Sequence, residues 1–235
     1  MTVQTVIDHL KYLSNEYAPK LMQETFIPNE ESDTKDDIFW GIEMLDVKHV
    51  AKDYWRISLD NIKKLIKSPV HEVRLCGFLM LVEQYKRLSQ EEKGIIVDLY
   101  LSNTKYINSW DLVDSTCYRI LGKYLVDKSR DILYQLARSG NVWEQRIAII
   151  TTKMFIRNYD FVDAMALLEI LIDSPHDVVH RAMGLILREI AKRDQVIMIN
   201  FVKTHYTNLA RVTIRYAIEK LPEDYRQNIL KGKFE

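Results

Sequence analysis

At 235 residues, 47% of them apolar, the chain is long enough to bury a large core, and its 7 glycines and 5 prolines speak for helices rather than a turn-rich β protein. Lys+Arg and Asp+Glu balance at 33 each, so net charge does not advertise a nucleic-acid partner. The balance is uneven along the chain, however: residues 1–60 hold 6 basic against 12 acidic side chains, which leaves the remainder basic and allows a positive surface on one side.

The first helix is expected from Val3 to Met22, with Val6, Leu10, Leu13 and Tyr17 on one face and Pro19 as a possible kink. Pro28 to Asp37 has no apolar periodicity and reads as an exposed acidic loop. Phe39-Trp40-Gly41-Ile42 introduces a helix from Met44 to Tyr54, and Ser58 is placed to cap a short helix through Lys67. From there one plan repeats five times, a polar turn followed by a helix whose second turn becomes strongly apolar. The segments are Ser68–Leu81, Asn108–Leu121, Gly140–Ile150, Ser174–Leu187 and Thr207–Ala217, separated by amphipathic helices near Ser89–Leu101, Arg130–Arg138, Phe161–Ile172 and Gln195–His205. A period of about 30–40 residues is that of paired-helix solenoids. Ser-Pro at two of the turns fits proline at the first helical position. The fold expected is an all-α solenoid: one domain over residues 1–235, with 1–60 an acidic helical cap and 61–235 the repeat array.

The stretch Asn108–Gly122 carries the chemistry that stands out. It places Trp110, Asp111 and Asp114 in the opening turn of an apolar helix, and the four-residue spacing puts Trp110 and Asp114 on one face. An aromatic ring beside a carboxylate suits a cationic or electron-poor ligand. The alternative is that Asp111 caps the helix and Trp110 is a buried anchor. An arginine recurs before the apolar stretch of the other repeats, at Arg74, Arg146, Arg181 and Arg211, and in the Asn108 segment this column falls on or beside Asp114. A row of guanidinium groups at the spacing of stacked helices suits a phosphate backbone; equally, each arginine could pair with a carboxylate of a neighbouring repeat.

Other chemistries find no support. There is no phosphate-binding Gly-rich loop, no His-Glu-x-x-His and no Cys-x-x-Cys, and Ser115 lacks the setting of a hydrolase nucleophile. His176 and His180 share a helix face but have no evident third ligand, so neither metal nor cofactor is expected. Cys76 and Cys117 sit in apolar helices and read as buried free thiols. No apolar run reaches the roughly 20 residues that span a bilayer, and the N-terminus lacks the regions of a signal peptide. The expectation is a soluble cytoplasmic monomer without a membrane partner.

Phe39-Trp-Gly-Ile42, Ser109-Trp-Asp-Leu-Val-Asp-Ser115, Asn141-Val-Trp-Glu-Gln-Arg146 and Ala182-Met-Gly-Leu-Ile-Leu-Arg-Glu189 with Ala191-Lys-Arg193, in that order, resemble the DNA alkylation repair family typified by AlkD. The resemblance implies a curved stack of HEAT-like helix pairs acting on double-stranded DNA, and in active members a monofunctional glycosylase that releases cationic N3- or N7-alkylated purines. By the same resemblance Asp114 matches the catalytic carboxylate, Trp110 the aromatic that packs against the lesion's deoxyribose, and Arg146 a phosphate contact. Leu185 stands where the family has a second aromatic, and the region Lys20–Ile27 gives no match for an N-terminal family tyrosine. Two further readings stay open: a catalytically silent relative that binds damaged, bent or branched DNA, and a protein-binding helical scaffold.

Overall fold

The computed structural model describes residues 1–15 and 33–234. It packs as two compact units, residues 1–116 and 117–235, so the repeat array is shared between them. Among the described residues there is no β-strand, only an isolated bridge between Ile38 and Val70.

The first unit is built on helix α4 (His71–Tyr85), nearly all of whose residues are buried because neighbours cover it on several sides. Helices α2 (Met44–Asp53) and α3 (Leu59–Ile66) pack against it, and α1 (Val3–Tyr12) adds Val6 and Leu10, both fully buried. The expected α1 was longer. It ends at Tyr12, Leu13 being its C-cap, with Ser14 and Asn15 no longer helical; the predicted residues from 16 on, with Tyr17 and Pro19, and the Lys20–Ile27 region lie outside the described residues. Helix α5 (Lys93–Leu101) and a short 3-10 turn (Thr104–Tyr106) lead to α6 (Trp110–Asp114).

The second unit opens with a π-helical turn (Tyr118–Gly122), followed by α7 (Asp131–Ala137), α8 (Val142–Thr151), α9 (Lys153–Ile156) and α10 (Val162–Leu171). Its central element is α11 (Asp177–Ala191), amphipathic and packed on α8, α12 (Gln195–Thr204) and α13 (Arg211–Ala217); α14 (Glu223–Leu230) closes the chain.

Three of the five polar turns of the repeat share one device. Ser68, Ser139 and Ser174 each accept, through the side-chain hydroxyl, the backbone N–H two residues on, at 3.1, 3.2 and 3.4 Å. Those residues, Val70, Asn141 and His176, are the N-caps of α4, α8 and α11. A serine bonded locally in this way turns the chain into the helix. The prolines of the two Ser-Pro pairs therefore lie one residue before the cap and not at the first helical position.

Asn108–Gly122 is not one helix. After Asp114 the α-helical pattern stops, and a π-turn follows at Tyr118. Ser115 and Thr116 explain the break: their hydroxyls donate to the carbonyls of Asp111 and Leu112, four residues back, a contact that bends helices. The boundary between the two units falls here. No helix among the described residues is long and apolar enough to cross a membrane.

Candidate active site

Helix α6 has five residues, fewer than water would sustain in isolation, so tertiary contacts must hold it. Leu112 and Val113, both fully buried, supply the apolar ones and Asp111 a polar one. Its carboxylate is 3% exposed; one oxygen accepts the Ser109 hydroxyl at 2.5 Å and the Leu112 N–H at 2.9 Å, the other lies 2.9 Å from His71 Nε2. Its carbonyl takes the Ser115 hydroxyl at 2.6 Å.

Below Asp111 lies a buried polar cluster. His71 Nδ1 faces Asp37 at 3.3 Å, and Phe39 stacks on the ring at 4.9 Å. The Arg74 guanidinium pairs with Asp37 and also donates to Asn108 Oδ1 and the Ser68 carbonyl, each at 2.9 Å. Asn108 closes the ring by donating to Asp37 at 3.2 Å. Asp37 is thus no part of an exposed acidic loop: with two cations beside it, its side chain is only 9% exposed. Of the rest of that predicted loop, 28–32 lies outside the described residues, and within 33–36 Asp33, Lys35 and Asp36 are exposed while Thr34 is buried.

Two carboxylates and two cations leave the cluster neutral, and each steadies the others' charge. Burial works against the imidazolium of His71, but the charge of Asp111 and the hydrogen bonds to Asp111 and Asp37 outweigh burial and Arg74, so its pKa is pushed up to about 9. Burial likewise opposes ionisation of Asp37 and Asp111. The His71 and Arg74 contacts win for Asp37, and those of His71, Ser109 and the Leu112 N–H for Asp111, so both carboxyls stay below the ordinary value.

Trp110 and Asp114 stand on this base. Trp110, first residue of α6, is 44% exposed, and Asp114, its last, is partly buried one turn away. The alternative of a capping Asp111 and a buried Trp110 does not hold: Ser109 is the N-cap, Asp111 turns inward, and indole and Asp114 carboxylate share a helix face that reaches solvent.

The arginines divide. Arg74, in the first unit, is 4% exposed and belongs to the cluster just described. In the second unit Arg146 is 3% exposed and donates to the Val178 carbonyl at the start of α11. Arg181 and Arg211 are at the surface: Arg181 pairs with Asp177 at 2.5 Å and donates to Tyr216 Oη at 3.3 Å, and Arg211 donates to Tyr206 Oη and the Leu230 carbonyl. Leu185, partly buried, lies one turn beyond Arg181 on the same face of α11. Asp114, Arg146 and Arg181 are each the fifth residue of their helices; in α13 that position belongs to the exposed Arg215 rather than to Arg211.

A further basic group gathers in the second unit. Arg119, Lys153 and Arg157 approach the Tyr118 ring to 5.4, 5.2 and 5.2 Å, and Arg119 Nε donates to the Tyr118 hydroxyl at 2.9 Å. Glu189 is the counter-charge of Lys153 and Arg157. Burial opposes its ionisation, yet the Lys192 hydrogen bond and the charges of Lys153, Lys192 and Arg157 hold it below the ordinary value. Among the described residues no group of three or more His, Cys, Asp or Glu could hold a metal ion. Sequence reasoning missed Asp37, His71 and Arg215; of these only Arg215, four residues after Arg211, left a readable signal.

No curated protein matches the sequence. Solved structures do share the fold. One is described as a "predicted DNA alkylation repair enzyme from Enterococcus faecalis": it is 15% identical, with 89% of this chain and 97% of that chain covered and a TM-score of 0.66. Another belongs to "a new family of proteins related to the HEAT-like repeat DNA glycosylases with affinity for branched DNA structures": it is 14% identical, with 86% of this chain and 83% of that one covered and a TM-score of 0.58. These likenesses make the fold an all-α array of HEAT-like helix pairs. The family described as DNA alkylation repair enzyme matches residues 6–221, nearly the whole length, and the chain belongs to that family.

Proposed function

We propose that the protein is a monofunctional DNA glycosylase that releases cationic N3- or N7-alkylated purines, with Asp114 and Trp110 at the reacting sugar. The observation that carries this reading is the exposed Trp110 and the Asp114 carboxylate on one face of a five-residue helix locked from beneath by Asp111.

An alkylated purine already bears the positive charge that makes it a leaving group, so protonation by the protein is not needed. When the C1′–N bond breaks, its electron pair goes to the purine and cancels that charge, and the sugar becomes an oxocarbenium. The Asp114 carboxylate stabilises this cation electrostatically. Water oriented by Asp114 then adds at C1′, and its proton passes to the solvent. Trp110 packs against the deoxyribose, and the surface cations Arg181, Arg211 and Arg215 hold phosphates.

Incubating the protein with methylated duplex DNA should free N3-methyladenine or N7-methylguanine, read by chromatography. Asp114→Asn should abolish release and leave the helical CD spectrum unchanged. No release by the wild type at large enzyme excess would overturn the reading.

One observation favours a second reading, a DNA-binding protein without excision. Leu185 gives apolar contact but no π face to a cationic nucleotide. Tight, salt-sensitive binding to a four-way junction in preference to linear duplex, with no base released from either, would select it.

A further inference from the structure

The imidazole of His71 stands between two carboxylates, Asp111 at 2.9 Å from Nε2 and Asp37 at 3.3 Å from Nδ1. A neutral imidazole has one N–H and one lone pair, so it could donate to one carboxylate only and would turn its lone pair on the other. The imidazolium alone satisfies both. The ring is 2% exposed and Phe39 stacks on it, so solvent has little access to either contact. Among the described residues, charged groups facing it include Asp37 from the segment before α2, Asp111 from α6 and Arg74 from its own helix; the neighbouring Glu72 turns instead to the backbone N–H groups of Trp40, Gly41 and Ile42.

Asp111 is one residue after Trp110 and three before Asp114. Its bonds to Ser109, Leu112 and His71 set the position of a helix too short to set its own. A change at His71 therefore reaches Trp110 and Asp114 through Asp111.

We propose that His71, as the imidazolium between Asp37 and Asp111, is a positioning residue for the Trp110–Asp114 face, and that its deprotonation at alkaline pH loosens α6 and lowers the competence of the site. In its catalytic consequence this rests on the glycosylase reading; the movement of Trp110 does not. With the His71 pKa pushed up to about 9, the site is fully assembled at neutral pH and titrates above it.

The test is 19F NMR of the full chain labelled with 5-fluorotryptophan, from neutral pH to the alkaline limit of folding, alongside base release over the same range. The Trp110 resonance is assigned by its absence from Trp110→Phe. It should follow one titration curve with a midpoint near 9. In Asp111→Asn, which removes the nearer charge, the midpoint should fall by about one pH unit or more. In His71→Gln the curve should vanish. If His71→Gln does not fold, the wild-type curve and the Asp111→Asn midpoint decide. Base release should show kcat falling with the same midpoint while KM changes little. A Trp110 resonance constant with pH, a midpoint unmoved in Asp111→Asn, or a curve that persists in His71→Gln overturns the proposal. A clear curve without base release at any pH supports the positioning role and counts against the glycosylase reading; base release without the curve does the reverse.

Discussion

Glu72 reaches back 31 residues to Gly41: its Oε1 accepts the Gly41 N–H at 2.8 Å, and the same carboxylate takes those of Trp40 and Ile42. The glutamate is 2% exposed, and Gly41, at φ 73, turns the chain so that three consecutive N–H groups converge. Glu72→Ala strands them, and the expected loss is about 2–4 kcal/mol in urea denaturation. Gly41→Ala, strained by its positive φ, should cost about 1–2 kcal/mol. An unchanged midpoint in Glu72→Ala would mean that the loop before α2 does not depend on this contact.

Gly184 marks a close approach of α11 to α13. A Cβ built there would sit 2.5 Å from Tyr216 Cβ and 2.7 Å from the Thr213 carbonyl, and the Thr213 hydroxyl already donates to the His180 carbonyl at 2.9 Å. Gly184→Ala gains about 1 kcal/mol of helix propensity but must push two helices apart, an overpacking cost of about 1–3 kcal/mol or more. A net fall in Tm is expected, read by thermal CD. A rise would show that α13 can shift freely.

The helical class and the repeat were legible because apolar periodicity and turn residues are local signals. Ser68, Ser139 and Ser174 turn the chain by contacts only two residues long. The break in Asn108–Gly122 was local too, but the adjacent hydroxyls of Ser115 and Thr116 look like ordinary helix residues until they bond four residues back. Asp37 was not legible: its partners His71, Arg74 and Asn108 are 34, 37 and 71 residues away, and nothing in an acidic run says which carboxylate goes inside. Arg146 looks the same in sequence as Arg181 until α11 presents the Val178 carbonyl to it. Long-range pairing, unlike periodicity, leaves no local trace.

Stability should depend on pH in a direction set by the same cluster. His71 has a folded pKa above its ordinary 6.5, so its contribution is complete below 6.5 and lost as pH rises through about 9. The rise from 6.5 to about 9 corresponds to about 3 kcal/mol. Asp37 and Asp111, both depressed, contribute above their ordinary 3.8 and lose that contribution as pH falls below it. Urea denaturation should thus show a plateau in mildly acidic solution and a decline toward alkaline pH. His71→Gln should lie lower at neutral pH and lack the alkaline decline; an identical decline in that variant would assign it to other groups.

The arginine column should split by burial. Arg146→Ala removes a buried donor to the Val178 carbonyl and should cost about 2–3 kcal/mol of stability, so any loss of DNA binding comes with a lowered Tm. Arg181→Ala and Arg215→Ala are surface changes, expected within about 0.5 kcal/mol of wild type. Each should instead flatten the slope of log K against log salt by about 0.9, read by fluorescence anisotropy on duplex DNA. Slopes unchanged in both variants would move the phosphate path elsewhere, with the Arg119, Lys153 and Arg157 group the next to substitute.

Leu185 offers a separate test of the glycosylase reading. It lies on α11, one turn past the exposed Arg181, and the resemblance to the family expects an aromatic ring there. A ring stacked on a cationic nucleotide adds about 0.5–1.5 kcal/mol over an aliphatic contact, which is about a two- to tenfold gain in rate if it acts in the transition state. Leu185→Trp should therefore raise release of N3-methyladenine by that factor, and Asp114→Asn should abolish release in both backgrounds, since the ring positions the nucleotide while the carboxylate stabilises the oxocarbenium. A Leu185→Trp variant that binds methylated DNA more tightly and still releases nothing would separate the two roles differently. Stacking would then be present and catalysis absent, and the protein would be a reader of DNA structure rather than a glycosylase.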